Sequence, residues 1–336
     1  TSYGLMGGLL GIGVATLAFA VILVCTFDYA RKHRAYDYRT FFKHLLGRYW
    51  WLFEVIYVLS FFLVMGVVSS AAGDMFEAQT GLTSTAGVVL MLSLVALLVL
   101  LGRTVLERFL SVWSAGMYAV FALYLVVILA GADSCAFTNI KNGSIESGWF
   151  MGGLLYASYN VAIAPVLLFT ARVLDTRKQA IGAGLVAAVL VMLPALAFHI
   201  SYAVNVDTAL SAALPNYQMI EEHGPAWLLL IFLVALMGTL IQTGAGLLQG
   251  VIERVGHTLV ADDTESNLPQ LTAKLRGGIA VVALSISGCL SAFGIVALIA
   301  TGYSLMAIGF GLVYVAPLIL NTMRRAGLKL LPVRIF

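Results

Sequence analysis

Long apolar segments alternate with short polar segments along the whole chain. Almost uncharged runs of roughly 20 residues recur, and each could cross a hydrocarbon core of about 30 Å as an α-helix. The sequence lacks the alternating segments of about ten residues that a β-barrel would show. The pattern therefore predicts nine membrane-spanning helices, at approximately 4–27, 49–76, 84–102, 108–131, 148–172, 178–204, 225–253, 277–293 and 295–322.

Composition supports the same fold class. Of the 336 residues 61% are hydrophobic and 10% are charged, whereas soluble domains carry roughly 25% charged residues. We expect an all-α polytopic membrane protein whose surface contacts the lipid bilayer. Basic blocks interleaved with aromatic residues are absent from the sequence, so we expect no nucleic-acid partner. The three cysteines show no CxxC spacing, and no metal site is predicted.

Lysine and arginine fall on one side of the predicted membrane. Alternate loops contain 18 of these residues on one side and only Lys141 on the other. The positive-inside rule assigns the richer side to the cytoplasm. The C-terminus is therefore predicted inside and Thr1 outside, in a bacterial inner (plasma) membrane. Because the number of spans is odd and the chain begins with Thr1 rather than methionine, we expect a tenth span upstream of Thr1.

The spacing of the spans suggests an internal repeat. Long predicted spans at 49–76 and 225–253 each follow a loop of about 20 residues, and the two loops lie on opposite sides. This arrangement is typical of five-helix units repeated with inverted topology in secondary transporters. We expect a first repeat at 1–131 that lacks its first helix, a second repeat at 148–322 and a cytoplasmic tail at 323–336.

The middle of span 148–172 contains a polar group of side chains. The segment YASYN, residues 156–160, precedes Pro165 in an otherwise apolar stretch. Proline removes one helical donor and clashes with the carbonyl four residues earlier, and asparagine is a good N-cap. We expect a broken helix with Asn160 capping its second half, and a substrate site formed by Tyr156, Ala157, Ser158, Tyr159 and Asn160. The alternative is a kinked, continuous helix whose polar side chains bond neighbouring helices.

Three segments resemble a known family. GLLYASYNVAIAP, MFEAQTGL and GTLIQTGAGLLQGVIERVG are similar to segments of the YkvI-type bacterial membrane proteins of the amino acid–polyamine–organocation (APC) superfamily. The resemblance implies a LeuT-like fold of five plus five inverted-repeat helices. It also implies transport of an amino acid or a small amine. The family has a glycine-rich first helix before the point at which this sequence begins.

The resemblance also implies an ion site on span 225–253. In the superfamily a hydroxyl-bearing pair on this helix helps bind sodium, and Thr243 fits one position while Gln242 replaces the second hydroxyl. The alternative for both residues is helix–helix hydrogen bonding. Ser69 and Tyr303 are candidates to border the substrate cavity, although packing is the alternative for each. No cofactor is expected, and Na⁺ is a candidate coupling ion.

Other polar features admit simpler interpretations. His199, near the outer end of span 178–204, is interpreted as a capping or interfacial residue rather than a proton carrier. Arg103, Glu107 and Arg108 in an inner turn are interpreted as solvated rather than as a gate. The glycines of GGLLGIG, residues 7–13, lie in an apolar span and indicate close helix packing rather than nucleotide binding.

These features favour a secondary active transporter of an amino acid or small amine that works by alternating access, coupled to Na⁺ or H⁺. Catalytic motifs such as HExxH, GxSxG and the P-loop are absent from the sequence, so no enzyme is predicted. The alternative is a non-transporting accessory subunit that retains the transporter fold. The sequence is compatible with association with identical copies and with association with a partner subunit.

Overall fold

The computed structural model describes residues 3–131, 136–207, 215–259, 271–292 and 302–325. Within these ranges helices are the regular structure, and no strand is present. A helical chain is the expected solution in lipid, because each backbone amide must find its partner inside its own segment.

The helices of the described ranges alternate between long apolar segments and short connecting segments. The α-helices are α1 (Leu5–His33), α2 (Tyr38–Leu46), α3 (Trp50–Thr80), α4 (Ser84–Leu100), α5 (Arg103–Ala130), α6 (Ala136–Lys141), α7 (Trp149–Asn160), α8 (Arg177–Ser201), α9 (Pro215–His223), α10 (Ala226–Leu259), α11 (Ala273–Ser291), α12 (Ser304–Phe310) and α13 (Ala316–Arg325). A 3₁₀ segment covers Val161–Val173, and a π-helical segment covers Gly311–Val315.

Seven helical segments in the described ranges are long and apolar enough to cross a membrane. They are Leu5–His33, Tyr38–Thr80, Arg103–Ala130, Arg177–Ser201, Ala226–Gly256, Ala273–Ser291 and Ser304–Arg324. Helix α4 is also apolar but has only 17 residues. The chain is therefore all-helical over these ranges, as predicted, with the features of a polytopic membrane protein. The predicted boundary between the last two spans, at 293–295, lies outside the described residues.

The predicted loop 28–48 is largely helical. Helix α1 continues to His33, and α2 begins after Asp37, whose carboxylate accepts a hydrogen bond from the Thr40 amide at 2.8 Å. An N-cap of this kind satisfies an amide that would otherwise have no partner in the first turn. The predicted connections 132–147 and 205–224 likewise contain the short helices α6 and α9.

The chain divides into two compact units, each assembled from separate stretches. The first contains 1–57, 125–224 and 304–336, and the second contains 58–124 and 225–303. Both predicted repeats contribute to both units. Contacts between residues do not reveal which segments of a chain are repeats of one another. The predicted repeat boundaries therefore stay a prediction.

Helix α1 lies at the centre of the first unit. It packs against α7, the 3₁₀ segment that follows α7, and α8. Glycines permit this close approach: a Cβ on Gly153 of α7 would lie 2.5 Å from the Gly11 carbonyl oxygen, and one on Gly8 would lie against the His199 ring. The predicted packing role of the GGLLGIG segment is therefore confirmed at Gly8 and Gly11.

Aromatic rings fill one end of the same unit. Phe42 of α2 stacks on Phe53 of α3 with 3.5 Å between ring centroids, and Tyr314 meets both rings edge-on. Phe41 and Phe310 complete the group, and all five side chains are fully buried. Burial of these rings fixes α2 against the ends of the longer helices.

Helix α4 is central to the second unit, where it packs against α10 and α11. Met91 of α4 lies where α4 crosses α10. A Cβ added to Gly244 of α10 would be 3.2 Å from the Met91 methyl carbon. At one end of the unit Arg276 donates to the Val99 carbonyl and to the Gln249 side chain. These contacts connect the beginning of α11 to the end of α4 and to Gln249 within α10.

Candidate functional site

The predicted break in span 148–172 is a change of helix type rather than an unwound segment. Helix α7 ends at Asn160, and thirteen residues of 3₁₀-helix follow from Val161. Runs of 3₁₀-helix longer than three or four residues are uncommon, and such a stretch inside a helix often marks a hinge. The change begins at Val161, the residue whose carbonyl a proline at position 165 would meet in an α-helix.

The predicted N-cap at Asn160 is wrong. Asn160 has helical dihedrals (φ −72°, ψ −18°), and its side chain makes no capping hydrogen bond. The Asn160 side-chain amide instead donates to the Tyr156 carbonyl at 2.8 Å, one turn earlier. A cap was predicted for an unwound chain, but here the Val161 amide still bonds to the Ala157 carbonyl. The helical hydrogen-bond pattern therefore continues through this junction, and no free helix end is present for Asn160 to cap.

The polar side chains of YASYN turn back onto their own helix. Ser158 donates to the Leu154 carbonyl at 2.9 Å, the same one-turn pattern as Asn160. Ala157 is fully buried, whereas Tyr156 is 39% exposed. Hydrogen bonds to preceding carbonyls bend a helix and weaken its regular ladder, so these side chains support the change of helix type immediately after them. For Tyr159 the structure describes the helical backbone alone.

Several residues of the 3₁₀ segment are buried. Val161, Ala164, Leu168 and Ala171 are all at most 1% exposed, as is Ala157 in the preceding α7. Helix α1 packs against this segment, and the short alanine side chains permit a close approach of the two backbones. The segment is therefore in contact with its neighbours, whereas Tyr156 of α7 is partly exposed.

The other predicted site residues lie in the second unit. Ser69 on α3 is fully buried, with its hydroxyl 3.8 Å from the Met91 sulfur. Met91 also lies beside Gly244, the residue after Thr243. Ser69 and this part of α10 are thus neighbours of the same methionine. Tyr303 belongs to this unit as well and is partly buried.

The two predicted ion-site residues have different surroundings. Gln242 donates its side-chain amide to the Ser114 hydroxyl at 2.7 Å and to the Leu110 carbonyl at 3.3 Å. It therefore bonds α10 to α5, which is the helix–helix alternative considered for it. Thr243 bonds only within α10 among the contacts described, donating to the Thr239 carbonyl at 2.9 Å. Its oxygen lone pairs can still accept, which a sodium ligand requires.

Ionisable groups lie mainly at the ends of the helices. His199 is buried in α8, and its Nε2 lies 2.6 Å from the Leu5 carbonyl oxygen. A carbonyl only accepts, so Nε2 donates, and the histidine ties α8 to the first residue of α1. Arg103 pairs with Glu107 at 2.6 Å and with Glu253 at 3.6 Å on a half-exposed surface. Among the described residues no group of histidine, cysteine and carboxylate side chains could hold a metal ion.

Sequence reasoning missed one cluster of polar and aromatic contacts. The buried hydroxyls of Thr26 and Tyr314 lie 2.6 Å apart, and Tyr314 lies in the π-helical segment. Single hydroxyls in apolar helices give no signal by themselves. Their pairing across 288 residues depends on packing that the sequence pattern does not specify.

The chain matches no protein-family model and no curated protein.

Proposed function

We propose that the chain is a secondary active transporter of an amino acid or small amine that works by alternating access. One observation carries the proposal: in the predicted span 148–172 the helix changes from α to 3₁₀ immediately after a polar segment. Transporters place their substrate sites near the bilayer midplane, where a helix departs from regular geometry. The proposal assigns the YkvI-type resemblance, and its LeuT-like fold, to this chain.

The proposal includes nine spans and their orientation. Besides the seven long segments, α4 would cross as a short span, since 17 residues are at the lower limit for crossing. The continuous helical stretch 149–173 would be another span. The distribution of lysine and arginine supports a C-terminus in the cytoplasm of a bacterial cell. Tyr156, Ser158 and Asn160 would face the substrate, and Thr243 would help to bind a coupling Na⁺.

Packing around the 3₁₀ segment supports the choice of site. A stretch of unfavourable helix type persists only where its surroundings determine it. Here α1 packs against the segment, in which Val161, Ala164 and Ala171 are buried. A packed segment with polar side chains at the junction before it is what a substrate-dependent change of helix type would need.

The direct test is uptake by the purified full chain in proteoliposomes. The probes are radiolabelled amino acids, tried singly, and the diamine putrescine, each under an imposed Na⁺ or H⁺ gradient. We expect one of these probes to accumulate. In the Asn160→Leu variant we expect uptake to be lost while the protein stays folded, as judged by its melting temperature in detergent.

The outcomes separate the two classes of function. Normal uptake by the Asn160→Leu variant would remove the YASYN segment from the site. If no probe accumulates and none raises the melting temperature, the transporter proposal fails. The accessory-subunit alternative then predicts that a second membrane protein co-purifies with the chain in a fixed ratio.

A further inference from the structure

The turn between α1 and α2 contains a residue in an uncommon backbone conformation. Arg34 has a φ of +51°, and in the described part of the chain every other residue with a positive φ is a glycine. The Arg34 amide donates to the Arg31 carbonyl at 3.3 Å. The Ala35 amide donates to the Ala30 carbonyl at 2.9 Å, and the two bonds together form a Schellman motif. Glycine usually occupies the left-handed position of this motif, because a side chain there costs free energy.

The Arg34 side chain makes no contribution to the fold that would offset this cost. It is exposed, and it has no hydrogen bond, ion pair or ring contact with the residues that the structure describes. The next residue, Ala35, is fully buried, so packing holds the turn on that side. A strained residue persists where its surroundings determine it, and such residues concentrate at functional sites. An arginine without a partner in the described chain therefore indicates a role outside the chain.

Two further exposed cations accompany Arg34 in the first unit. Lys32 lies in the last turn of α1, and Lys43 lies on α2, which packs against α1. Phe41 and Phe42 of α2 are fully buried in the aromatic group. Helix α2 is therefore fixed to the protein by its apolar residues and leaves a basic residue exposed. We call Lys32, Arg34 and Lys43 the α1–α2 surface.

Acidic residues do not balance the charge of this part of the chain. Residues 28–48 contain six lysine and arginine residues but only two aspartates, which gives a net charge of +4 with histidine neutral. One of them, Asp28, pairs with Arg31 at 2.8 Å and with Arg177 at 3.8 Å. The other, Asp37, caps α2. The α1–α2 surface therefore keeps an excess of positive charge.

Tryptophan residues indicate the depth of this surface in a membrane. Trp50 begins α3, and Arg39 and Lys43 lie 5.2 and 5.5 Å from the centre of its ring. The Trp51 side chain is 50% exposed. Indole rings concentrate at the level of the lipid headgroups. In a membrane that α1 and α3 cross, the cations of the α1–α2 surface would lie at the depth of the lipid phosphates.

We propose that the α1–α2 surface binds the headgroups of anionic lipids. Basic residues next to a membrane-spanning helix suit such headgroups through charge complementarity. A phosphate would also supply the partner that Arg34 lacks among the described residues, since guanidinium groups bind phosphate oxygens through paired hydrogen bonds. The lipid thus accounts for an arginine at a position where glycine would fit the backbone better.

The test measures the melting temperature of the full chain in a nonionic detergent as dioleoylphosphatidylglycerol is added. Dioleoylphosphatidylcholine, whose phosphate is balanced by its own ammonium group, is the control lipid. We expect the anionic lipid to raise the melting temperature more than the control lipid does. In Arg34→Gly and in Lys43→Gln the half-maximal mole fraction of anionic lipid should rise about fivefold, the effect of one basic residue near a charged surface.

Arg34→Gly separates lipid binding from stability. Without added lipid the variant should melt at the same temperature as the unsubstituted chain or higher, because glycine readily adopts the left-handed conformation. The same change should weaken the response to the anionic lipid. A lower melting temperature without lipid would show that the arginine side chain serves the fold, and the argument for a lipid partner would fail.

Lys274→Gln is the matched control variant. Lys274 of α11 is exposed and belongs to the second unit, so its replacement removes one charge without changing the α1–α2 surface. We expect its response to the anionic lipid to stay unchanged. Equal weakening in all three variants would mean general attraction between charges rather than a defined surface. Equal effects of the two lipids would also overturn the proposal, and equal stabilisation by polyglutamate would assign the surface to an acidic polypeptide instead.

Discussion

The Tyr314 hydroxyl donates a hydrogen bond to the Thr26 hydroxyl across 2.6 Å. The direction follows from the second contact of Thr26, whose single proton is donated to the Ile22 carbonyl at 2.7 Å. Tyr314 lies in the π-helical segment, and Thr26 lies in α1. π-Helical turns are rare and occur frequently at functional sites. The hydrogen bond between Tyr314 and Thr26 is therefore a target for substitution.

Replacing Tyr314 with phenylalanine should lower the free energy of unfolding by about 1 kcal/mol, the net value of a typical buried hydrogen bond. The ring and its packing would stay, so the loss belongs to the hydroxyl. Thermal unfolding in detergent measures it. A double-mutant cycle with Thr26→Val should show coupling between the two changes, and strictly additive effects would mean that the two hydroxyls do not interact.

Replacing Gly153 with alanine should destabilise the first unit by about 1–3 kcal/mol, the usual cost of overpacking. The added methyl group would meet the Gly11 carbonyl oxygen at 2.5 Å, and a backbone atom cannot rotate away. The melting temperature of the variant measures the effect.

Gly13 provides the control, because a Cβ there has no neighbour within 4 Å. Gly13→Ala should be neutral, or stabilising by up to about 1 kcal/mol through the lower chain entropy of alanine. Equal melting temperatures for the two variants would contradict the close crossing of α1 and α7.

Replacing Ser158 with alanine should reduce uptake if the polar segment of α7 faces substrate. Ser93 of α4 makes the same one-turn bond, to the Val89 carbonyl at 2.7 Å. Ser93→Ala therefore removes an equivalent hydroxyl in a helix that is not assigned to the site. We expect the Michaelis constant for uptake to rise in Ser158→Ala alone. Equal kinetics in both variants would argue that Ser158 only serves the helix.

Replacing Thr243 with valine should raise the half-saturating Na⁺ concentration for uptake by about tenfold, as expected for loss of a hydrogen-bonding or coordinating group. Thr239 is the matched residue, since it donates to the Ala235 carbonyl one turn earlier in the same helix. Thr239→Val should leave the Na⁺ dependence unchanged. If uptake by the unsubstituted protein does not depend on Na⁺, Thr243 does not bind a coupling Na⁺.

The helices that cross the membrane could be predicted because the apolar runs themselves specify them. Segments such as Leu5–His33 and Arg177–Ser201 need internal hydrogen bonds in lipid whatever their neighbours are. Helix α2 was missed because its basic residues supported a loop. Its signals were present, with Asp37 as an N-cap and Phe41 and Phe42 forming an apolar face.

The candidate site was predictable only in part. The polar segment and Pro165 indicated a departure from α-helix within this stretch, but neither its form nor its position: residues 156–160, predicted to be the break, are α-helical, and the change begins at Val161. Whether a chain unwinds or tightens depends on its neighbours, and here α1 packs against the segment, in which Ala164 and Ala171 are buried. The bond from Gln242 to Ser114 joins residues 128 positions apart, and no local pattern predicts such a pairing.

If the stretch 149–173 crosses the membrane as proposed, its 3₁₀ segment gives that span additional length. Thirteen residues at a rise of about 2.0 Å cover about 26 Å, whereas the same residues as α-helix would cover about 20 Å. Together with the twelve residues of α7 the stretch reaches about 44 Å, which approaches the full thickness of a bilayer including its headgroups. Trp149 at one end and Arg172 at the other can therefore both reach the interfacial layers. Conversion of the segment to α-helix would withdraw one of these anchors by about 6 Å, close to one helical turn.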